Sequence, residues 1–136
     1  MKKILAIVEK GSNGIYSIYT PETKTAVLNG QGTTVDAAVA DIKESLTVVI
    51  ESFLANGEKV PDELEGEIDF ELKYDIASLF GNFAEINLSS FARKNGFNES
   101  LLRKYKNRLA FASERQCKKI EKGLHKLGQS LCAANL

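Results

Sequence analysis

The hydrophobic period of this chain changes once, after Asp75, and does not change back. Before that point, short β-branched and alternating runs surround a single helical stretch. After it, apolar residues recur only at the three-and-four spacing of helices. A chain divided in this way is expected to be α+β, with one sheet in its front part and a small all-helical body behind. The expected domains are residues 1–75 and 76–136. A length of 136 residues allows one ordinary domain or two small ones, and 43% apolar with 26% charged residues suits a folded core.

In the front part, Ile4, Leu5, Ala6, Ile7 and Val8 form a near-continuous strand-like run over residues 3–9. Gly11-Ser12-Asn13-Gly14 supplies a hairpin reversal, residues 15–20 the next strand, and residues 25–29 a third, ended by Gly30-Gln31-Gly32. Thr33 or Thr34 then caps a long helix with Asp36 at the positive end of its dipole. Val35, Ala38, Val39, Ile42, Leu46, Val49, Ile50 and Phe53 make its buried stripe; Asn56-Gly57 stops it and Pro61 prevents resumption. Residues 67–74 alternate Ile68, Phe70, Leu72 and Tyr74 against Glu67, Asp69, Glu71 and Lys73, the pattern of a half-buried antiparallel strand. The expectation is an antiparallel β-β-β-α-β sheet with one helix on a face.

Behind Asp75 the spacing predicts helices over 77–83, 89–95, 98–107 and 113–127. Asn98 caps the third, and Ser113-Glu114-Arg115-Gln116 is a capping box for the fourth. Cys117, Ile120, Leu124 and Leu127 form the inner stripe of that last helix, and Gly128 is expected to end it. Cys117 and Cys132 are neither a CxxC pair nor a disulfide framework, and buried reduced thiols are expected.

The formal net charge of zero hides a polar chain. Residues 1–84 hold 7 Lys+Arg against 14 Asp+Glu, a balance of −7; residues 85–136 hold 11 against 4, a balance of +7. Cations in the rear part suit phosphate, because each one set against a duplex backbone releases a condensed counterion. The acidic part would be repelled by the same duplex and is matched instead to a positively charged protein. With no run of about 20 apolar residues, and no cleavage site after Met1-Lys2-Lys3, a cytoplasmic protein with no membrane segment is expected.

Residues 88–107 contain the parts of a helix-turn-helix: Ala92 small enough for a helix crossing, Gly96 able to take positive φ, and apolar Phe97 just after it. Phe91, Leu102 and Tyr105 point to a shared core. The other face of the second helix keeps Glu99, Ser100, Arg103, Lys104 and Asn107, which can reach base edges and phosphates in a major groove. Ser89, Arg93, Asn98 and Arg108 complete the predicted DNA-contacting set, with Lys118 and Lys119 as phosphate contacts. The plainer alternative is a helical hairpin with a solvated charged face.

The segment from Leu88 to Leu131, closing on Lys126-Leu127-Gly128-Gln129-Ser130-Leu131, resembles lambda-repressor-type (Xre-like) DNA-binding domains. Upstream, residues 4–10 with the glycine hairpin, Gly32-Thr33-Thr34-Val35-Asp36-Ala37-Ala38 and Asn56-Gly57-Glu58-Lys59-Val60-Pro61 resemble the HicB antitoxin domain. The resemblance implies a partial RNase H-like front domain that binds a HicA-like toxin, a small mRNA endonuclease. It also implies a rear domain that represses its own operon, usually as a homodimer on inverted repeats. The chain departs from the family at Pro21-Glu22-Thr23-Lys24-Thr25-Ala26, where a Leu-Pro-Gly-Cys stretch is common. It departs again at Leu88, where many relatives carry Gln, and at Leu101, where a small polar residue is usual.

Tyr16 and Tyr19 fall on opposite faces of the second strand, and each is an anchor for a partner or part of the core. Tyr19 and Glu22 are taken as the partner-contacting residues. Glu9, Asp36, Asp41 and Glu44 would be needed for a magnesium nuclease, but their spacing does not converge them, and a solvated acidic face is expected. His125 is the lone histidine and is expected at the surface. The glycine segments lack a phosphate-loop ending. No cofactor, metal or enzymatic activity is expected.

Overall fold

The computed structural model describes residues 1–136, which divide into two compact units, Met1–Ser78 and Leu79–Leu136. The fold is α+β. In the first unit, strands β1 (Lys2–Lys10), β2 (Tyr16–Tyr19) and β3 (Asn29–Gly32) precede helix α1 (Val35–Ala55). A single 3-10 turn at Asp62–Leu64 and strand β4 (Ile68–Tyr74) follow it.

The sheet order is β3-β2-β1-β4, and the sheet is mixed, not antiparallel as the sequence suggested. β1 pairs antiparallel with β2, with Val8 opposite Ile18, and β2 antiparallel with β3, with Ile18 opposite Gly30. β4 instead runs parallel to β1 over seven residue pairs, from Lys2 opposite Ile68 to Val8 opposite Tyr74. The reason is the 21-residue α1, about 30 Å long, which carries the chain back across the sheet before it re-enters at the free edge of β1. The alternation of Ile68, Phe70, Leu72 and Tyr74 was legible; strand direction leaves no mark in a period of two.

The third strand also lies elsewhere than expected. Residues 25–28 are irregular, and the strand is Asn29–Gly32. Its glycines allow the helix to come close: a Cβ at Gly30 would lie 2.4 Å from the Ala38 carbonyl oxygen and 2.6 Å from the Ile42 nitrogen. Preceding it, the loop is tied from within and, through Glu63, to the 3-10 turn. Thr20, fully buried, accepts from the Leu28 N–H at 2.9 Å, Thr23 donates to the Ala26 carbonyl at 2.6 Å, and Glu63 accepts from the Thr25 N–H at 2.7 Å. Ala6, Val8, Ile18, Leu28, Val35, Ala38, Ile42, Leu64 and Phe70 form the core under α1. Thr34 is the N-cap of α1, accepting from the Ala37 N–H at 3.0 Å.

Helix α2 (Ile76–Asn82) spans the sequence boundary of the units. Asp75 caps it by accepting from the Ser78 N–H at 2.6 Å, and the buried Ser78 hydroxyl accepts from the Lys10 N–H at 2.8 Å. The second unit consists of the rest of α2 with α3 (Leu88–Asn95), α4 (Glu99–Lys106) and α5 (Glu114–Ala133). Phe80, Leu88, Phe91, Ala92, Leu102, Tyr105 and Ile120 are its buried apolar residues, with Phe80 edge-on to Phe91 at 6.0 Å.

Two expectations about α5 are corrected. The helix does not end at Gly128 but continues to Ala133, because a single glycine weakens a helix without breaking it. Cys117 and Cys132 are both free and exposed, not buried. Gly123, not Cys117, joins Ile120 in the buried stripe. No helix of the chain is long and apolar enough to cross a membrane.

Candidate nucleic-acid interface

The hairpin of α3 and α4 is held by local chemistry. Asn87 caps α3, accepting from the Ser90 N–H at 3.0 Å. Gly96 ends it at φ 70°, the left-handed region that a side chain disfavours, while the Gly96 and Phe97 N–H groups both return to the Ala92 carbonyl. Ala92 is 1% exposed, the small residue the crossing requires. Asn98 caps α4 by accepting from the Leu101 N–H at 3.3 Å, and Leu102 and Tyr105 turn inward.

That orientation leaves the other face of α4 open. Glu99, Ser100, Arg103, Lys104 and Asn107 are all exposed and fall within one sector of the helix. Three of the nominated residues meet directly. The Ser89 hydroxyl donates to the Glu99 carboxylate, and the Arg103 guanidinium donates to the same carboxylate at 2.8 Å, with its Nε at 3.2 Å. The Ser89 hydroxyl, followed by the Arg103 guanidinium, holds the Glu99 carboxyl below its ordinary value. The guanidinium thereby reaches groups on both α3 and α4, with the Ser89 hydroxyl 3.5 Å away, while the Arg103 side chain stays largely exposed.

The other nominated residues are separate from this cluster. Arg93 donates to the Ser90 hydroxyl at 3.3 Å, one turn back on α3. Asn98 and Asn107 occupy the two ends of α4 as its caps. Arg108 holds φ 59°, the left-handed conformation that glycine usually fills after a helix, and the Leu109 N–H closes on the Lys104 carbonyl at 2.9 Å. Lys118 is exposed and faces Glu121 at 3.9 Å, a contact too solvated to immobilise it.

Lys119, expected among the phosphate contacts, has a second occupation. Its ammonium donates to the Gly96 carbonyl at 2.9 Å and stands 4.4 Å from the centre of the Phe97 ring. It closes the end of α3 from α5. Gly123 has a related role that the sequence reading missed: a Cβ there would meet Asn95 Oδ1 at 2.6 Å and Phe91 Cζ at 3.0 Å. A glycine three residues beyond Ile120, on the same stripe, was the available signal.

In the first unit, Tyr16 is 5% exposed and belongs to the core, with the Lys10 ammonium 5.4 Å from its ring centre. Tyr19 is half-buried on the sheet face away from α1, between Ile7 and Asn29 in the register. Glu22 is exposed in the following loop. Asp41, weighed as a metal ligand, accepts from the Gln31 N–H at 2.8 Å, and no group of three His, Cys, Asp or Glu side chains is placed to hold a metal ion. His125 is exposed on α5. No protein-family model matches the chain, and a search of curated proteins found no match.

Proposed function

We propose that this chain is a non-enzymatic antitoxin and autoregulator of the HicB kind, acting in the cytoplasm. The second unit binds duplex DNA through α4 in the major groove and represses transcription of its own operon. The first, with a partial RNase H-like fold, covers a basic HicA-like mRNA endonuclease. The observation that carries the DNA reading is the exposed Glu99–Ser100–Arg103–Lys104 face of α4, set on a hairpin whose crossing, turn and caps are all satisfied. It belongs to a unit in which 11 Lys+Arg face 4 Asp+Glu, so sequence-independent attraction to phosphate accompanies the side chains suited to bases. The complementary balance of the first unit, 7 against 14, supports a cationic protein partner, with Tyr19 and Glu22 as contact candidates.

Mobility-shift titrations with upstream DNA and with random duplex test the first half. Arg103→Ala is expected to lower affinity for the specific site and to relax its sequence preference, by about 1–3 kcal/mol of discrimination. Lys118→Ala is expected to weaken all duplexes alike and to flatten the logarithmic salt slope by about 0.9. Equal losses on both DNAs for Arg103→Ala contradict the groove assignment. Co-expression with the adjacent gene product and pull-down tests the second half; failure to capture a small basic protein leaves a stand-alone regulator whose first unit only oligomerises or senses a ligand.

A further inference from the structure

Among the residues expected to reach bases, Glu99 is the one whose hydrogen bonds give it another task. A single carboxylate oxygen, Oε1, accepts from the Ser89 hydroxyl on α3 and from two nitrogens of Arg103 on α4, Nη2 at 2.8 Å and Nε at 3.2 Å. Glu99 precedes Arg103 by one helical turn, the favourable order for an acid and a base four residues apart. It also stands in the first turn of α4, where a negative charge suits the helix dipole. Those two reasons would account for a pair that merely stabilises its own helix. They do not account for Ser89, which lies ten residues back on the other helix of the hairpin and ties the carboxylate, and through it the guanidinium, to both.

Which edge of the guanidinium is engaged decides what remains. Nε and Nη2 form one side of the planar group, and both donate to Glu99; Nη1 and the second hydrogen of Nη2 form its end. Nη2 also lies 3.5 Å from the Ser89 hydroxyl, at the outer limit of a hydrogen bond. The end edge is therefore a pair of parallel donors with no strong partner, on a side chain 57% exposed. Two parallel donors match O6 and N7 of guanine in the major groove, whereas adenine offers one acceptor beside a donor. We propose that Glu99 is a positioning residue: with Ser89 it presents the end edge of Arg103 to a guanine, and it does not itself read a base. This rests on the DNA reading of α4. A free arginine loses rotamer freedom when it binds, and one already held by its neighbours loses less. That gain exists only where Arg103 meets its base. On any other duplex the same carboxylate only repels phosphate.

Two measurements test this, the first without DNA. In the free full chain, NMR is expected to show the Arg103 Nε–H protected from solvent exchange and the side chain restricted. Glu99→Gln is expected to release both, and Ser89→Ala to release them in part. An Arg103 side chain as mobile in the wild type as in Glu99→Gln overturns the proposal. The second measurement is the ratio of affinities for the upstream duplex and a random duplex in mobility-shift titrations. Glu99→Gln is expected to lower that ratio about two- to fivefold while binding random duplex at least as tightly as the wild type. In an Arg103→Ala background it is expected to leave the ratio unchanged, because nothing remains to be positioned. An unchanged ratio for Glu99→Gln alone overturns the proposal, and so does an equal fall with and without Arg103, the result for an acid that reads cytosine itself. Exchanging each G·C pair of the upstream duplex for A·T in turn is expected to reveal one position whose cost disappears in Arg103→Ala; no such position overturns the guanine assignment. A chain that holds Arg103 as described and yet binds no duplex refutes the function reading, and the guanine with it, while the hold of Glu99 on Arg103 stands.

Discussion

Gly123 and Gly128 lie five residues apart on α5, and alanine is expected to act on them with opposite sign. In a helix interior, Gly→Ala stabilises by up to about 1 kcal/mol. At Gly123 the new methyl would stand 2.6 Å from Asn95 Oδ1, 2.8 Å from Asn95 Cγ and 3.0 Å from Phe91 Cζ. Neither neighbour yields easily. The Asn95 amide donates to the Phe91 carbonyl at 2.9 Å, and the Phe91 ring, 5% exposed, is braced edge-on by Phe80. Overpacking costs about 1–3 kcal/mol, and displacing Asn95 from its hydrogen bond about 1 kcal/mol more. The helix gain offsets part of this, leaving a net destabilisation of about 1–3 kcal/mol. For a unit of this size that lowers Tm by roughly 5–25 °C. Gly128→Ala meets open space and is expected to raise Tm by a few degrees. Melts followed by circular dichroism, with amide exchange at α3 and α5 to assign the transition, decide the matter. A Gly123→Ala variant stabilised as much as Gly128→Ala would show that α5 does not cross α3 at this point.

Two carboxylates should titrate visibly low. For Glu99, NMR is expected to give a pKa below that of a free glutamate, and Ser89→Ala to move it back toward the free value, since the Ser89 hydroxyl is the leading cause. The Glu99–Arg103 pair is then intact above the unfolded value and lost as pH falls through the depressed folded one. Glu63, whose carboxyl is held below its ordinary value chiefly by Thr25 and then by the Lys24 N–H, follows the same sign. Glu63→Gln is expected to speed amide exchange at Lys24 and Thr25 while the β1–β4 pairing keeps its protection; unchanged exchange there would remove Glu63 from its tethering role.

What the sequence disclosed is decided within a few residues, although the helix stop at Gly128 and the strand over residues 25–29, also local readings, did not hold. The first half of the α1 stripe (Val35, Ala38 and Ile42 buried, with the later members half-buried), the Asn98 and Ser113 caps, the Ala92–Gly96–Phe97 turn and the alternation of β4 are all decided locally. The face of α4 followed directly, because burying Leu102 and Tyr105 leaves Glu99 and Arg103 outside. Decisions between distant segments were hidden. β4 could have paired in either direction, and only the length of α1 sets the direction it takes. Gly30 and Gly32 looked like a turn because a glycine admitting a neighbouring helix and a glycine admitting positive φ are the same letter. Lys119 looked like every other lysine on α5, and its bond to Gly96 depends on a helix 23 residues away. Cys117 and Cys132 were misplaced for a related reason: the apolar stripe continues beyond the core, so a position on a helix no longer implies burial.

Titration of an unlabelled duplex into the isotope-labelled full chain at low salt, read by amide and Arg side-chain shifts, tests the division of labour most directly. The predicted result is that Ser89, Glu99, Ser100, Arg103 and Lys104 move while the sheet amides of β1 to β4 stay in place, with the Arg103 Nε signal responding to base sequence. Shifts centred on the acidic sheet, or none anywhere in the α3–α4 hairpin, would contradict it.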